Sequence, residues 1–277
     1  MLKLTSLLVL FLILLFLIKT KKYVEHFEEH EFKIVMFLTG GLKEEAENCI
    51  KTLKNQNLDK ELTVTALDIE AFEYIKKLNV NTQLKKTNLK KEAKFGTKDF
   101  FDITYNKLCI IQDTLEKYNK VVLYTDSDIV FLKDIRNDIK KFKISDKDIL
   151  IQDDSKKFKN SKNYCTGFIL FKPNKICVEI LKEAKNIMKK NWDNRRWDKG
   201  GGADQKALQE SIKNLRDKNM IIKLETLDLK EYPNGARYFK NLNTIYKNYK
   251  PNIVHNNYIK GTDKKIRRFK KHNLWFI

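Results

Sequence analysis

Proline and glycine are both scarce in this sequence. Only three prolines and nine glycines occur among 277 residues. Segments rich in these residues and in serine typically form flexible linkers between domains. No such segment and no internal repeat divides residues 32–277. We therefore expect this part of the chain to fold as one large α/β domain with a sizeable core.

Two kinds of motif that would identify other protein classes are also missing. The four cysteines, at positions 49, 109, 165 and 177, show no Cys-x-x-Cys spacing, so we expect no structural zinc site. Neither a Gly-x-x-x-x-Gly-Lys loop nor a Gly-x-Gly-x-x-Gly fingerprint occurs. This absence counts against a metal-dependent nucleotidyl- or phosphotransferase, which we keep as an alternative.

The sequence is strongly basic, with 56 lysine and arginine residues against 36 aspartate and glutamate residues and a formal net charge of +20. The lysines are spread along the whole chain instead of forming an arm, and no aromatic and basic ribonucleoprotein motif is present. We therefore expect no nucleic-acid partner. A field of this sign favours an anionic substrate or an anionic membrane surface.

An apolar run, Leu4–Ile18, lies near the beginning of the chain and has lysines on both sides. As a helix this run would be about 22 Å long, which is short for a bilayer core of roughly 30 Å but sufficient when flanking lysines reach the interfaces. A cleaved signal peptide is the alternative, yet no small-x-small cleavage site follows. We therefore predict an uncleaved transmembrane anchor at residues 1–22, a short polar stem at 23–31 and a single membrane crossing.

Apolar strands and amphipathic helices alternate along the rest of the sequence. The pattern predicts strands at 32–39, 62–67, 121–124 and 169–171, with helices after 42, over 103–118 and over 261–273. Alternation of this kind is typical of a mixed, mostly parallel sheet with helices on both faces. We therefore predict a nucleotide-binding type of α/β fold, in which ligands lie at the carboxyl ends of the strands.

Two carboxylates follow the predicted strand at 121–124. Asp126 and Asp128 are separated by Ser127 just beyond this apolar run, and apolar residues resume at Ile129. An Asp-Ser-Asp sequence is also a common turn, but its position at the end of a buried strand favours a functional role. Two such carboxylates can hold a hard divalent cation and leave positions for phosphate oxygens. We therefore predict a site for Mn²⁺ or Mg²⁺.

Two glycine-containing segments supply further candidates. Gly167 lies at the edge of a predicted strand, where the missing side chain permits a ligand to approach the backbone closely. Three glycines at 200–202 precede a helix whose first turn carries Asp204 and Gln205. Asp204 is also an ordinary acidic residue for a helix N-terminus. A flexible triple glycine is useful in a loop that closes over a substrate, so we place Asp204 and Gln205 among the site residues.

The C-terminal part of the chain adds a histidine, a glycine and a lysine. His255 follows a short apolar strand and, as a neutral imidazole, is a suitable third metal ligand. Gly261 opens a predicted helix with Lys264 in its first turn. A diphosphate binds readily at such a helix N-terminus next to a lysine. We therefore expect the fold to bring this segment to the Asp126 and Asp128 carboxylates.

These motifs together resemble those of GT-A fold glycosyltransferases. The sequence contains Tyr-Thr-Asp-Ser-Asp-Ile-Val at 124–130, Thr-Gly-Phe at 166–168, Asp-Gln at 204–205, and His-Asn-Asn at 255–257 followed by Gly261 and Lys264. The chain is most similar to the nucleotide-diphospho-sugar transferases that include plant α-xylosyl-, arabinosyl- and α-galactosyltransferases, and more distantly to glycogenin-type enzymes. The resemblance extends over about residues 32–275. One departure is Cys165, where related enzymes commonly have asparagine.

The resemblance implies a type II membrane enzyme of the Golgi, the endoplasmic reticulum or a comparable endomembrane. Such an enzyme uses a UDP-sugar with Mn²⁺ or Mg²⁺, glycosylates a glycan or glycoprotein, and retains the anomeric configuration. The implied metal ligands are Asp126, Asp128 and His255, and the implied catalytic residues are Asp204 and Gln205. The implied donor-binding residues are Thr39, Asp68, Lys107, Ser127, Gly167, Asn257, Gly261 and Lys264.

A different class of function is the main alternative. A membrane-anchored binding protein of the same fold, without turnover, would fit the many lysines and Cys165. The presence of all three implied metal ligands and of Lys264 favours the enzyme. The sequence does not identify the sugar or the acceptor, because a few hydroxyl contacts and surface loops decide both. Trp192 and Trp197 flank one such loop and are candidates either for stacking on a sugar ring or for packing.

Overall fold

A computed structural model describes residues 31–87, 93, 97–155, 163–193 and 203–277. The predicted anchor at 1–22 lies outside these residues, as does the predicted stem except for Glu31. The triple glycine at 200–202 and Trp197 also lie outside them. No helix within the described ranges is long and apolar enough to cross a membrane.

The described residues contain nine strands and eight α-helices. The strands are β1 (Phe32–Leu38), β2 (Leu62–Ala66), β3 (Asn81–Leu84), β4 (Val121–Thr125), β5 (Ile129–Phe131), β6 (Ile149–Asp153), β7 (Tyr164–Phe171), β8 (Leu224–Thr226) and β9 (Ile253–His255). The helices are α1 (Lys43–Asn55), α2 (Ile69–Lys76), α3 (Lys98–Tyr118), α4 (Arg136–Ile144), α5 (Lys175–Asp193), α6 (Asp204–Asp217), α7 (Gly235–Lys240) and α8 (Thr262–Lys271).

Seven strands form one mixed sheet in the order β3-β2-β1-β4-β7-β6-β8. Strands β1 to β4 are parallel to one another, whereas β7 is antiparallel to both β4 and β6. A central parallel strand is buried on both faces, and every residue of β4 is buried. The predicted mixed, mostly parallel sheet is therefore confirmed.

Helices cover both faces of this sheet. One face carries α1, α2 and α4 in an apolar core that includes Ile34 and Leu123. The other face carries α3, α5 and α6 around a second core that includes Val35 and Val122. Neighbouring residues of a strand point to opposite faces, so each central strand contributes to both cores. Full burial of each such aliphatic side chain contributes roughly 1.5–3 kcal/mol to folding.

A second, two-stranded sheet brings two distant parts of the chain together. Strands β5 and β9 are antiparallel, and Ile129 pairs with His255. The backbone N–H of Asn256 donates to the carbonyl oxygen of Asp128 at 2.8 Å. The backbone of β5 is in turn hydrogen-bonded to the Thr52 hydroxyl of α1. The residues that follow β4 therefore lie beside the end of β9.

Local capping explains where the predicted helices differ from the observed ones. Helix α3 begins at Lys98, before the predicted start at 103, because the Thr97 side chain accepts a hydrogen bond from a first-turn N–H. It ends at Tyr118 as predicted, where Asn119 adopts a left-handed conformation with φ of 49°. Helix α8 follows Gly261 and ends at Lys271, slightly before the predicted end.

Candidate active site

Asp126 lies at the carboxyl end of β4, where this strand meets β7. Its backbone N–H donates to the carbonyl oxygen of Gly167 at 2.8 Å, and the Tyr124 hydroxyl donates to its Oδ1 atom at 2.7 Å. A Cβ atom at position 167 would lie 2.6 Å from Asp126 Oδ2 and 2.5 Å from His255 Cε1. Only glycine therefore fits between these two side chains.

Asp128 and His255 meet because β5 pairs with β9. His255 Nε2 lies 3.3 Å from Asp128 Oδ1 and 3.9 Å from Asp126 Oδ2. The Asp128 and His255 side chains are almost completely buried, whereas 32% of the Asp126 side chain is exposed. The cluster of these three side chains is therefore accessible from solvent on the Asp126 side.

Gln152, at the end of β6, orients the imidazole ring. Its Oε1 atom lies 2.7 Å from His255 Nδ1, and its Nε2 atom donates to the carbonyl oxygens of Tyr232 and Pro233, each at 3.1 Å. Because the amide nitrogen is used for these carbonyls, the amide oxygen faces the ring, and Nδ1 is the donor. His255 Nε2 is thereby directed at the two aspartates.

The three side chains have the geometry and chemistry of a divalent-cation site. One ligand atom from each of Asp126, Asp128 and His255 lies within 4.8 Å of the others. Carboxylate oxygens suit Mg²⁺ and Mn²⁺, and an imidazole nitrogen is a common ligand of transition metals. A protein site with three ligands leaves positions for phosphate oxygens or water. The cluster is therefore a candidate cation site.

A lysine neutralises the buried Asp128. Lys265 Nζ lies 2.8 Å from Asp128 Oδ2. Burial alone would raise the pKa of the Asp128 carboxyl, but Lys265 and His255 hold that pKa well below its usual value. Burial would lower the pKa of His255, but Asp128 raises it above its usual value. In the metal-free protein the imidazole therefore keeps a proton on the nitrogen that faces the carboxylates.

Lys107, in α3, connects Asp126 to Asp204. Its ammonium lies 3.4 Å from Asp126 Oδ1 and 2.9 Å from Asp204 Oδ2, and it donates to the carbonyl oxygen of Thr166. Burial would lower the pKa of Lys107, but the two carboxylates raise it, so this buried lysine stays charged. The structure thus places Lys107 between a predicted metal ligand and a predicted catalytic residue.

Asp204 and Gln205 begin α6 and are both engaged by neighbouring strands. The Thr166 hydroxyl in β7 donates to Asp204 Oδ2 at 2.7 Å. Gln205 Nε2 donates to Asp154 Oδ2 at 3.1 Å, just beyond β6. Asp204 is buried, and Gln205 is partly exposed. Asp204 is therefore linked to the candidate cation site through Lys107, whereas Gln205 contacts Asp154.

Asp68 fixes the loop that follows β1. Its Oδ1 atom accepts from the N–H of Ala71 and caps α2, and its Oδ2 atom accepts from the N–H of Gly40 at 2.7 Å. Thr39 is buried at the start of this loop, and Ser127 is buried between the two metal-ligand candidates. Both oxygens of Asp68 thus have a structural task.

The C-terminal motif places a different lysine at the cluster from the one predicted. Lys264 is exposed, whereas the neighbouring Lys265 contacts the buried aspartate. Gly261 precedes α8 with φ of 91°, which favours glycine. Asn257 Oδ1 accepts a hydrogen bond from the N–H of Gly235 at 2.7 Å. These contacts hold the segment after β9 in position.

Two residues that the sequence left open pack inside the protein. The Cys165 sulfur lies 3.7 Å from His255 Nδ1 and accepts from Asn257 Nδ2. Burial raises the pKa of this thiol, so Cys165 is a neutral packing group. The Trp192 ring lies 4.9 Å from the Phe101 ring, between centroids. This contact favours the packing interpretation for Trp192.

Four residues of the site had no predicted role: Tyr124, Gln152, Thr166 and Lys265. Gln152 had a readable signal, because it follows the apolar Ile-Leu-Ile run of β6 and precedes two aspartates, much as Asp126 follows β4. Lys265 had no signal that distinguishes it from Lys264. The choice between these two lysines depends on how α8 is rotated against the sheet.

The carboxyl edge of this mixed α/β sheet carries a cluster of two carboxylates and an imidazole, with the buried Lys107 and the partly exposed Lys265 against it. These features define a protein suited to a phosphorylated ligand and a divalent cation. The chain belongs to the nucleotide-diphospho-sugar transferase family, whose model matches residues 57–269. The matched segment contains the candidate cation site together with Lys107, Asp204 and Lys265.

Two curated relatives are named as sugar transferases. A UDP-galactose:fucoside alpha-3-galactosyltransferase of Dictyostelium discoideum is 26% identical over 308 aligned residues, which cover 93% of this chain and 45% of that protein. A UDP-D-xylose:L-fucose alpha-1,3-D-xylosyltransferase of Arabidopsis thaliana is 29% identical over 204 residues, which cover 66% of this chain and 52% of that protein. The chain thus spans about half the length of the curated relatives it matches.

Two solved structures share the fold. A glycosyltransferase involved in the glycosylation of the major capsid of PBCV-1 matches with a TM-score of 0.52 and 13% identity, over 87% of this chain and 98% of that one. The glycosyltransferase GlyE of Streptococcus pneumoniae TIGR4 matches with a TM-score of 0.51 and 15% identity, over 88% and 65%. The sheet and its flanking helices therefore have the glycosyltransferase architecture that the sequence predicted.

Proposed function

We propose that this chain is a metal-dependent glycosyltransferase that transfers a sugar from a UDP-sugar to a glycan or glycoprotein acceptor, with retention of the anomeric configuration. The main support is the convergence of Asp126, Asp128 and His255, with Lys107 and Lys265 against the same carboxylates. Membership of the nucleotide-diphospho-sugar transferase family supports the same conclusion.

The phosphate side of the proposed reaction belongs to the candidate cation site. Asp126, Asp128 and His255 Nε2 would hold Mn²⁺ or Mg²⁺. The bound cation would neutralise the negative charge that develops on the diphosphate as its bond to the anomeric carbon breaks. Lys265 lies against Asp128 and supplies a further positive charge for the same anion. Burial of Asp128 and His255 strengthens these interactions by excluding water.

The sugar side of the proposed reaction belongs to Asp204 and Gln205. Lys107 and Thr166 both engage Asp204 Oδ2, so we assign its Oδ1 atom to a sugar hydroxyl or to the oxocarbenium-like carbon. Gln205 Nε2 is engaged by Asp154, so we assign its Oε1 atom to an acceptor or donor hydroxyl. In the proposed transfer the acceptor oxygen bonds to the anomeric carbon, and its proton goes to the departing UDP.

The names of the relatives suggest which substrates to test first. These proteins are named for UDP-galactose or UDP-xylose as donor and for a fucoside or L-fucose as acceptor. We propose a fucose-containing glycan as the acceptor and one of these two sugars as the donor. Galactose carries a hydroxymethyl group that xylose lacks. A hydrophobic donor pocket discriminates only modestly between two sugars that differ by such a small group, so both donors are tested.

We further propose an anchored topology. Residues 1–22 would be the signal anchor, residues 23–31 the stem, and residues 32–277 the transferase domain of a single-pass type II protein in the Golgi, the endoplasmic reticulum or a comparable endomembrane. The apolar run at 4–18 supports the anchor, whereas the type II orientation rests on the family resemblance, because more lysines follow the run than precede it. Resistance of the full chain to carbonate extraction from membranes is the expected result, and release into the soluble fraction would contradict it.

The proposed activity is tested by UDP release from the full chain in a mild detergent. UDP-galactose, UDP-xylose and UDP-glucose are offered with a fucoside acceptor, in Mn²⁺, Mg²⁺ or EDTA. We expect metal-dependent UDP release with formation of a glycoside from one donor, and NMR of the product gives its anomeric configuration. Asp126→Ala/Asp128→Ala should abolish release, whereas the exposed Asp134→Ala should not.

Three other results would point elsewhere. Release of a sugar 1-phosphate instead of UDP, with transfer of UMP to the acceptor, would identify a nucleotidyltransferase. Metal-dependent UDP binding without turnover on any acceptor would favour the anchored binding protein. Neither release nor metal-dependent UDP binding would contradict the proposed site itself.

A further inference from the structure

Glu45 is a buried carboxyl group without a hydrogen-bond partner. It lies in the first turn of α1 and is completely buried. Neither of its carboxyl oxygens has a partner among the described residues. Leaving a buried polar group unsatisfied is unfavourable, so such a group in a folded protein calls for an explanation. A partner that arrives in another state of the protein is one explanation.

Lys265 is the candidate for that partner, because the first turn of α8 lies beside the turn that precedes α1, where the Thr262 hydroxyl donates to the carbonyl oxygen of Gly41 at 3.5 Å. Burial raises the pKa of Glu45 to about 8, and Lys265 is the main group that opposes this rise. Asp128 and Asp126 act in the opposite sense and raise the pKa further. A carboxyl with this pKa is mostly protonated at neutral pH, so Glu45 would ionise on receiving the Lys265 ammonium. In this structure Asp128 holds it, at 2.8 Å.

Occupation of the candidate cation site would weaken the hold of Asp128 on this ammonium. A divalent cation bound to Asp128 would repel the ammonium of Lys265. It would also offset the negative charge of Asp128 that attracts this ammonium. A lysine side chain is long and flexible enough to exchange partners. The backbone of Lys265 is fixed, because its N–H donates to Gly261 and its carbonyl oxygen accepts from Asn256 Nδ2. The change of partner is therefore confined to the side chain.

We propose that Glu45 is a positioning residue that receives the Lys265 ammonium when a divalent cation occupies the cluster of Asp126, Asp128 and His255. The inference rests on the proposed cation site and deepens it. In the metal-free protein Lys265 fills the place of the cation's charge beside Asp128. In the cation-bound protein it is retained by Glu45, next to the diphosphate. Glu45 thus favours cation binding without being a ligand.

The test compares Glu45→Gln with Glu44→Gln. Glu44 is the preceding residue in the same helical turn and is exposed, so the two variants make the same substitution at almost the same place. Mn²⁺ affinity is measured by titration calorimetry on the full chain in detergent, without nucleotide sugar. The thermal unfolding temperature of each metal-free variant is measured in parallel.

We expect Glu45→Gln to weaken Mn²⁺ binding by at least about fivefold, the lower end of usual coupling between sites. Its metal-free unfolding temperature should be unchanged or higher, because an unpaired buried carboxyl is lost. Glu44→Gln should change neither quantity. A residue that only packs would give the opposite pair of results, with a lower unfolding temperature and an unchanged Mn²⁺ affinity. That result would overturn the inference.

Lys265→Met provides a second test, and the result for this single variant does not depend on the folding of Glu45→Gln. Removing the ammonium that competes for Asp128 should tighten Mn²⁺ binding. In the Lys265→Met background, Glu45→Gln should change the affinity by less than about twofold, since the two residues act through each other. A full Glu45 effect in this background would overturn the inference, because the carboxylate would then act on the cation directly. Absence of Mn²⁺ binding to the wild-type chain would overturn the cation site as well.

Discussion

At the scale of single residues, the candidate site is built around one imidazole ring. His255 is held by residues from three other strands or strand ends, namely Asp128 beyond β4, Gln152 in β6 and Gly167 in β7. Gln152 determines which nitrogen faces the aspartates, and Gly167 provides the space for the ring. Small changes at these positions should therefore affect cation binding more than their size suggests.

The missing side chain of Gly167 gives the first prediction. In Gly167→Ala the added Cβ would lie 2.5 Å from His255 Cε1, so the ring has to move. We expect Mn²⁺ affinity to fall by at least about tenfold and stability by about 1–3 kcal/mol. Gly261→Ala is the control, since its Cβ meets no atom although its φ of 91° is strained. Gly40→Ala, whose added Cβ would meet the Glu70 side chain at 3.0 Å and none of the metal-ligand candidates, is a further control. Calorimetry should show a loss of Mn²⁺ affinity at Gly167 and not at Gly40, and an equal loss in both variants would contradict the prediction.

The raised pKa of His255 gives the second prediction. A proton and a metal ion compete for Nε2, and nearby Asp128 makes the imidazolium form persist above the usual pKa of about 6.5. Low pH therefore favours the proton and weakens metal binding, and affinity should increase steadily as the pH is raised through the neutral range. Calorimetry of Mn²⁺ binding in buffers of different ionisation enthalpy should also detect proton release. An affinity that is independent of pH would exclude His255 as a ligand.

At the scale of secondary-structure elements, the sequence predicts those features that neighbouring residues form by themselves. The apolar run of β4 and its terminal carboxylates are adjacent in sequence, so both the strand and the role of Asp126 and Asp128 could be proposed together. The same holds for the end of α3 and for the glycine before α8. The residues around His255 also gave the expectation that it joins the aspartates, and the resemblance to glycosyltransferases supported it.

Contacts between segments that are remote in the sequence could not be predicted from local patterns. The pairing of β5 with β9 depends on backbone hydrogen bonds between remote segments. Gln152 reaches His255 at an irregularity in the register of β6 and β7, which no local pattern reveals. The dual use of Asp68 as a helix cap and as a support for the loop at Gly40 likewise appears only in three dimensions.

An ion pair between β6 and α7 gives the third prediction. Arg237 Nη2 lies 2.8 Å from Asp153 Oδ1, and both side chains are completely buried. Arg237→Met would leave Asp153 buried without its cationic partner, so we expect a loss of about 3–5 kcal/mol in unfolding free energy. Lys213→Met removes an exposed pair with Asp217 and should have no measurable effect. Urea denaturation of both variants measures their unfolding free energies. Equal decreases in the two variants would contradict the prediction.

At the scale of the whole molecule, the candidate site joins the central sheet, the small sheet and helix α8. A ligand that binds all three only in the folded state stabilises the fold by mass action, by about 2.7 kcal/mol at a hundredfold excess over its dissociation constant. We expect Mn²⁺ to raise the unfolding temperature by several degrees and EDTA to reverse the increase. Asp128→Asn should abolish this shift whatever its own stability, and an undiminished shift would place the cation elsewhere.

The pairing of Ile129 with His255 also links the activity of the protein to its biosynthesis. All seven strands of the main sheet precede residue 227, so a nascent chain can assemble that sheet before β9 leaves the ribosome. Such a chain has both aspartates and Lys107 but lacks the imidazole that completes the cluster. Chains that are truncated or clipped before residue 253 should therefore be inert towards sugar nucleotides, and only the finished polypeptide would draw on the donor pool.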